Sequence, residues 1–202
     1  MRKKQEHSPA KEKLLDAAQR LMLAKGYEAT SVEEICGETG LTKGSFFHYF
    51  GSKEDLGKVV LDRFVLSRFQ AIQQAPFMKK SDPLQRIYGY LDFIMEMMKN
   101  PEVQVGCLLG TFSQELSDTR PGIRSQCAQH FAQWAEALGQ DLEKAKEKHR
   151  PRPPFSSQDL AEHLIAVIEG SLILAKANQD REIVGRNLKH FKQYLKSIFE
   201  RG

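Results

Sequence analysis

An all-α fold follows from three observations on this 202-residue chain. Apolar residues recur at intervals of three and four through segment after segment, the spacing that lines one face of a helix. Helix-starting pairs such as Ser8-Pro9 and Asp82-Pro83, and helix-stopping glycines such as Gly26 and Gly40, punctuate those segments. No stretch alternates apolar with polar as a half-buried strand does. About nine helices are expected, the first three forming an N-terminal helix-turn-helix domain and the rest a C-terminal helical domain.

The first helix starts at Ser8-Pro9, with Ser8 as N-cap and Pro9 at its first position. Leu14, Leu15, Ala18, Leu21 and Met22 make its apolar stripe, and Gly26 stops it. The segment Ser31 to Lys53 then reads as two short helices and a tight turn. Ser31 caps the first, which turns Val32, Ile35 and Cys36 inward and ends at Gly40, where positive φ costs nothing. Leu41 plugs the turn, and Thr42 caps a second helix holding Lys43, Gly44, Ser45, Phe46, Phe47 and His48. Phe46 and Phe50 stand four apart and can anchor that helix from behind. This is the helix-turn-helix pattern, whose second helix enters the DNA major groove. Small, polar or cationic residues at 42–45 suit close approach to a groove.

Ser52 caps a connecting helix that carries Leu56, Val59, Val60, Phe64 and Ser67 on one face to about Ala75, where Pro76 ends it. Helices follow with stripes of Leu84, Ile87, Leu91, Ile94 and Met98, then Val105, Leu108, Leu109, Phe112 and Leu116, then Ile123, Cys127, Phe131, Trp134, Leu138 and Leu142. A charged, proline-rich loop spans Lys146 to Pro154. Ser156 or Ser157 caps the next helix, with Leu160, Leu164, Val167, Ile168 and Leu172. The last starts near Asp180 and carries Ile183, Leu188, Phe191, Leu195 and Ile198. The expected division is 1–53 for the helix-turn-helix domain and 54–202 for the second, joined by the helix at about 52–75.

Composition narrows the function classes. A hydrophobic fraction of 41% and a charged fraction of 28% belong to a soluble globular chain. No apolar run approaches the roughly 20 residues that span a bilayer, and no secretory leader is read, so a cytoplasmic protein without a membrane partner is expected. Three cysteines, Cys36, Cys107 and Cys127, are odd in number and far apart, which argues against a disulfide framework. Net charge is only +4, so affinity for nucleic acid must come from local clusters. One such cluster is the N-terminal arm, where Arg2, Lys3, Lys4, Lys11 and Lys13 outnumber Glu6 and Glu12. Cys127 and His130 lack a third ligand at sensible spacing, so no metal and no other cofactor is expected. No Gly-rich phosphate loop, nucleophile elbow or matched carboxylate pair supports an enzyme. An all-α interaction protein that keeps the hairpin as a structural piece is the alternative to DNA binding.

The N-terminal residues resemble the TetR family of bacterial transcriptional regulators. The likeness runs through Leu14-Leu15-Asp16-Ala17-Ala18-Gln19-Arg20-Leu21, Gly26-Tyr27, Thr30 to Ile35, Gly40 to Ser45, and Tyr49-Phe50 with Ser52-Lys53-Glu54 and Leu56. Beyond them the likeness is one of architecture. It implies a homodimer on a palindromic double-stranded DNA operator, acting as a repressor. A small molecule in the C-terminal ligand-binding and dimerisation domain would move the connecting helix and release the DNA.

The same resemblance assigns roles. Ser31 and Thr42 cap their helices beside the DNA, and Lys43, Gly44 and Ser45 face the groove. Lys53 binds a phosphate, and Tyr49 contacts the backbone or packs on the first helix. Position 47 is usually tyrosine in the family; Phe47 loses that hydroxyl, and His48 is the substitute donor. Helices at about 156–178 and 182–200 would form the dimer interface, with Gly170 and Ser171 small enough for close backbone approach. Apolar candidates for an effector site are Phe93, Met97, Phe112, Phe131 and Trp134, which suggest an apolar or aromatic ligand. Cys107, near a helix start, resembles the cysteine through which some members of a Gly-Cys-Leu subgroup sense electrophiles or oxidants; a plain buried core residue is the other reading.

Overall fold

The computed structural model describes residues 8–152 and 154–199; the basic cluster at Arg2, Lys3 and Lys4 lies outside them. Nine α-helices occur among the described residues: α1 Pro9–Lys25, α2 Val32–Thr39, α3 Lys43–Tyr49, α4 Lys53–Gln74, α5 Pro83–Lys99, α6 Leu108–Leu116, α7 Pro121–His149, α8 Ser157–Asn178 and α9 Glu182–Phe199. A short 3-10 turn at Pro76–Lys79 follows α4. Among the described residues there is no strand, and no helix is long and apolar enough to cross a membrane.

The described residues fall into two compact units. The first joins those up to Arg68 with Leu108–Ala128, and the second joins Phe69–Cys107 with those from Gln129 onward. Besides the first three helices, the first unit takes in most of α4, all of α6 and the start of α7.

Within that first unit, Leu14, Ala18, Met22, Ile35, Phe46, Leu56, Val60 and Leu61 are completely buried. The Phe112 ring meets Tyr27 edge-on, 5.4 Å between centroids. The Glu28 N–H donates to Glu115 Oε2 at 2.9 Å. Gly26 adopts φ +94°, and a Cβ there would strike the Glu115 carboxylate. The turn after α1 is thus shaped by glycine to receive the end of α6. Burial pushes the Tyr27 phenol up to about 12, so it stays neutral.

The second unit has a single apolar core from α5, the later turns of α7, and α8 and α9, including Leu91, Leu142, Leu164, Val184, Leu188 and Leu195. Asp82 caps α5 by accepting from Leu84 N–H at 2.9 Å and Gln85 N–H at 3.3 Å. Lys148 and His149, in the last turn of α7, donate to the same carboxylate. The Arg181 guanidinium reaches the carbonyls of Met98, Asn100, Pro101 and Val103 and so closes the exit of α5. Ser156, not Ser157, caps α8; the Ser157 hydroxyl donates to Glu143 on α7 instead.

Two small residues expected at a helix–helix approach part company. Ser171 is buried within its own chain, donating to the Val167 carbonyl and accepting from Asn187 of α9. Its hydroxyl ties α8 to α9, so it is not on an outer face. Gly170 has open space where a Cβ would stand.

Candidate DNA-binding surface and ligand site

Local chemistry sets the α2–α3 hairpin. Ser31 and Glu34 form a reciprocal capping box, with Glu34 N–H donating to Ser31 Oγ at 3.1 Å and Ser31 N–H to Glu34 Oε2 at 2.9 Å. Lys25 and the Ser31 N–H hold the Glu34 carboxyl down at about 2. Gly40 takes the left-handed conformation at φ +68°, which turns the chain toward Thr42. Thr42 Oγ1 then accepts from Ser45 N–H at 3.1 Å and starts α3.

The two faces of α3 differ sharply. Phe46 and Phe50 are buried, while Lys43, Gly44 and His48 are exposed, Ser45 is half-buried and Phe47 is 55% exposed. At Gly44 an added Cβ would meet only Thr42 Oγ1, at 3.6 Å. Among the described residues nothing crowds that position, so a side chain there would point outward. A phenylalanine ring in water is poorly placed unless a partner covers it. Lys43 is ion-paired to Glu33 of α2, and that bond holds the Glu33 carboxyl below the usual range.

Two expected contacts point inward. Lys53 Nζ donates to the Tyr27 and Thr30 carbonyls at 3.1 and 3.0 Å and lies 4.2 Å from the centre of the Tyr27 ring. It fastens the start of α4 to the α1–α2 turn, leaving one N–H beyond these two bonds. Tyr49 places its hydroxyl 2.8 Å from Ser8 Oγ, so the ring packs on α1 and the Ser8 side chain gives its helix no cap bond. Each has an acceptor or donor close by within the protein, which the sequence spacing does not reveal.

In the second unit the effector candidates separate. Phe131 and Trp134 stack nearly parallel, 6.3 Å apart at 11°. Trp134 Nε1–H donates to the Tyr90 hydroxyl at 3.0 Å, and burial, chiefly, pushes the Tyr90 phenol up. Phe93 packs on Phe77 at 5.9 Å, and Phe77 lies 6.3 Å from Tyr90, giving a continuous aromatic run. Met97 is half-buried one turn beyond Phe93 on α5. Phe112 is not part of this group. It is fully buried in the first unit against Tyr27, because α6 turns its aromatic face to the helix-turn-helix.

Cys107 is half-buried just ahead of α6, and its thiol donates to the Glu169 carboxylate on α8. Cys36 and Cys127 are buried, and burial pushes both thiols up; Ser113 also hydrogen-bonds to Cys127. Tyr90 and Glu169 were not singled out from the sequence. The signal for Glu169 was there: a carboxylate flanked at helical spacing by Ile165 and Leu172.

Comparison with known proteins agrees with this geometry. Residues 14–59 match the family described as "Bacterial regulatory proteins, tetR family". Residues 83–191, more than half of the chain, match "Tetracyclin repressor-like, C-terminal domain". The chain is 28% identical over 193 residues to the HTH-type transcriptional repressor DhaR of Mycobacterium sp. (strain GP1), covering 96% of this chain and 92% of that one. It is 27% identical over 195 residues to the HTH-type transcriptional repressor NemR of Escherichia coli (strain K12), covering 96% and 98%. The crystal structure of E. coli NemR in its reduced form superposes with a TM-score of 0.77 at 27% identity, covering 95% of this chain and 98% of that one. A regulatory protein TetR from Rhodobacter sphaeroides superposes with a TM-score of 0.83 at 25% identity, covering 92% and 98%. The chain belongs to the TetR family of bacterial transcriptional regulators, DNA-binding proteins and not enzymes.

Proposed function

We propose that the protein is a homodimeric repressor that leaves a palindromic operator when a small molecule, or modification of Cys107, acts on its C-terminal unit. The outer surface of α3 carries the reading. A cation, a glycine that the fold does not require, a serine, an exposed aromatic ring and a histidine stand together on a helix anchored by two buried phenylalanines. A major groove offers phosphates to Lys43 and His48, room beside Gly44 and thymine methyls to Phe47. The repressor names of DhaR and NemR support the sign of regulation.

Dimerisation through α8 and α9 is supported by an outward stripe of Ala166, Gly170, Ile173, Leu174 and Ala177, with Tyr194 of α9 45% exposed. The path from ligand to DNA has a second support in α6. Cys107 immediately precedes it, and its far end holds the turn after α1 through Phe112 and Glu115. A shift of α6 would therefore reach the helix-turn-helix as directly as a shift of α4.

The test is a gel shift with the chain's own upstream DNA over a range of salt. Sequence-specific binding is expected, and Lys43→Ala should weaken it roughly tenfold and lower the salt slope by about one. Absence of specific binding, or a Lys43→Ala protein indistinguishable from wild type, would overturn the reading.

A further inference from the structure

Within the second unit four elements bring polar groups into one apolar neighbourhood: Tyr90 from α5, Cys107 ahead of α6, Trp134 from α7 and Glu169 from α8. Two of the pairings are complete, since Trp134 donates to Tyr90 and the Cys107 thiol donates to the Glu169 carboxylate. Glu169 Oε1 is the exception. It is buried and accepts no hydrogen bond in the structure. The influences on its ionisation are burial, which raises it, and the Cys107 thiol; no basic side chain is among them.

A buried carboxylate oxygen without a donor is costly, because it has given up water and received nothing. Proteins that keep such a group in an apolar site usually use it. The aromatic neighbours restrict what could satisfy it. Trp134, the only tryptophan in the chain, stacks on Phe131 and donates to Tyr90, and Tyr90 is the ring on which the Glu169 charge acts. Rings of this kind attract cations through their faces and accept flat apolar bodies. An anion would meet the carboxylate's repulsion, with no lysine or arginine among the described residues acting on Glu169 to offset it. A neutral apolar molecule would leave Oε1 as unsatisfied as before.

We propose that the C-terminal unit binds an organic cation, an apolar body bearing one ammonium or amidinium group that donates to Glu169 Oε1 near Tyr90, whose hydroxyl Trp134 holds. This sharpens the apolar or aromatic ligand expected from composition into one with a positive, hydrogen-bond-donating end. It rests on the reading of this unit as a ligand domain. Cys107 then has a second role as a donor to the same carboxyl.

Trp134 emission reports on this site without a label. Full-length protein is titrated with 4-phenylbutylamine, 4-phenylbutanol and 4-phenylbutyrate, which share one body and differ only in the end group. The amine should change the emission at a concentration at least tenfold lower than the alcohol, with the carboxylate weakest. Glu169→Gln should cut the amine's lead over the alcohol to under threefold and leave alcohol binding as it was. An equal response to amine and alcohol in the wild type, a lead for the carboxylate, no response to any probe up to millimolar concentration, or an undiminished amine preference in Glu169→Gln would each overturn the proposal. The wild-type comparison needs no variant, so a poorly folding Glu169→Gln still leaves a decisive result. Operator binding is measured separately by gel shift, so failure here and failure of the repressor reading are distinguishable.

Discussion

Lys43 opens α3, and in the free protein its ammonium is held by Glu33. Both side chains are largely exposed, so the pair contributes little to stability. Its consequence is for the proposed DNA binding, in which a carboxylate beside Lys43 would repel phosphate and compete for the lysine. Glu33→Gln is therefore expected to raise operator affinity about fivefold at low salt, with the gain shrinking as salt screens the charge. A salt series of gel shifts checks this; equal affinities at low salt would show that Glu33 lies away from the phosphates. Phe47 adds the other local distinction. With its ring exposed and without the hydroxyl usual at that position, it offers the proposed operator contact and shape rather than a hydrogen bond.

At the scale of elements, the ends of the helices in the second unit are pinned by side chains from distant segments. Asp82 shows how. Burial alone would push its carboxyl up, but the hydrogen bonds from Lys148 and His149 outweigh that and hold it below the usual range. A carboxyl depressed in the folded state stabilises above its unfolded value, and that contribution disappears as pH falls through the folded one. In an Asp82→Asn protein the amide oxygen could still cap α5 but would carry no charge to pair with Lys148. The variant should be less stable than wild type at pH 7 by about 1 kcal/mol or less, since the partners are partly solvated. The difference should shrink as pH falls below about 4, where the unfolded carboxyl takes up its proton and the folded one resists. Thermal unfolding at several pH values measures it; a gap undiminished at pH 2 would mean that packing, not charge, joins α7 to α5. Arg181 plays the corresponding part at the other end of α5, collecting carbonyls that the helix leaves unsatisfied.

At the scale of the whole molecule, α8 carries apolar side chains on two faces. Leu164, Ile168 and Ala175 enter the core, while Ile173 and Leu174 are about half exposed, at 49% and 50%. A helix apolar on both sides needs a partner on each. Leu174→Glu should convert a dimer to a monomer in sedimentation and lower operator affinity at least tenfold, since each half-site would be bound alone. A Leu174→Glu protein that remained dimeric would move the interface elsewhere.

Much of this architecture was legible in the sequence because helices write themselves locally. The caps at Ser31, Thr42 and Asp82, the stops at Gly26 and Gly40, and the inward Phe46 with outward Phe47 all follow from residues within a turn or two of one another. The same locality exposed the helix-turn-helix and the outer surface of α3. What depended on contacts between distant segments could not be read that way. The stripe of α6 is equally apolar whichever unit it joins, and only packing assigns Phe112 to Tyr27 and not to the ligand candidates. Lys53 was visible as a cation beside a helix start, but the Tyr27 and Thr30 carbonyls it holds come from the turn before α2. Tyr90, Cys107, Trp134 and Glu169 are separated by up to 79 residues, and nothing in their spacing announces that they meet. Sequence by itself determined the helices, most of their caps and the helix-turn-helix, since each arises from short-range periodicity and capping. Tertiary structure alone decided which helices share a core and where one oxygen of a carboxylate was buried without a donor, because burial is a property of the packed chain and not of any segment of it.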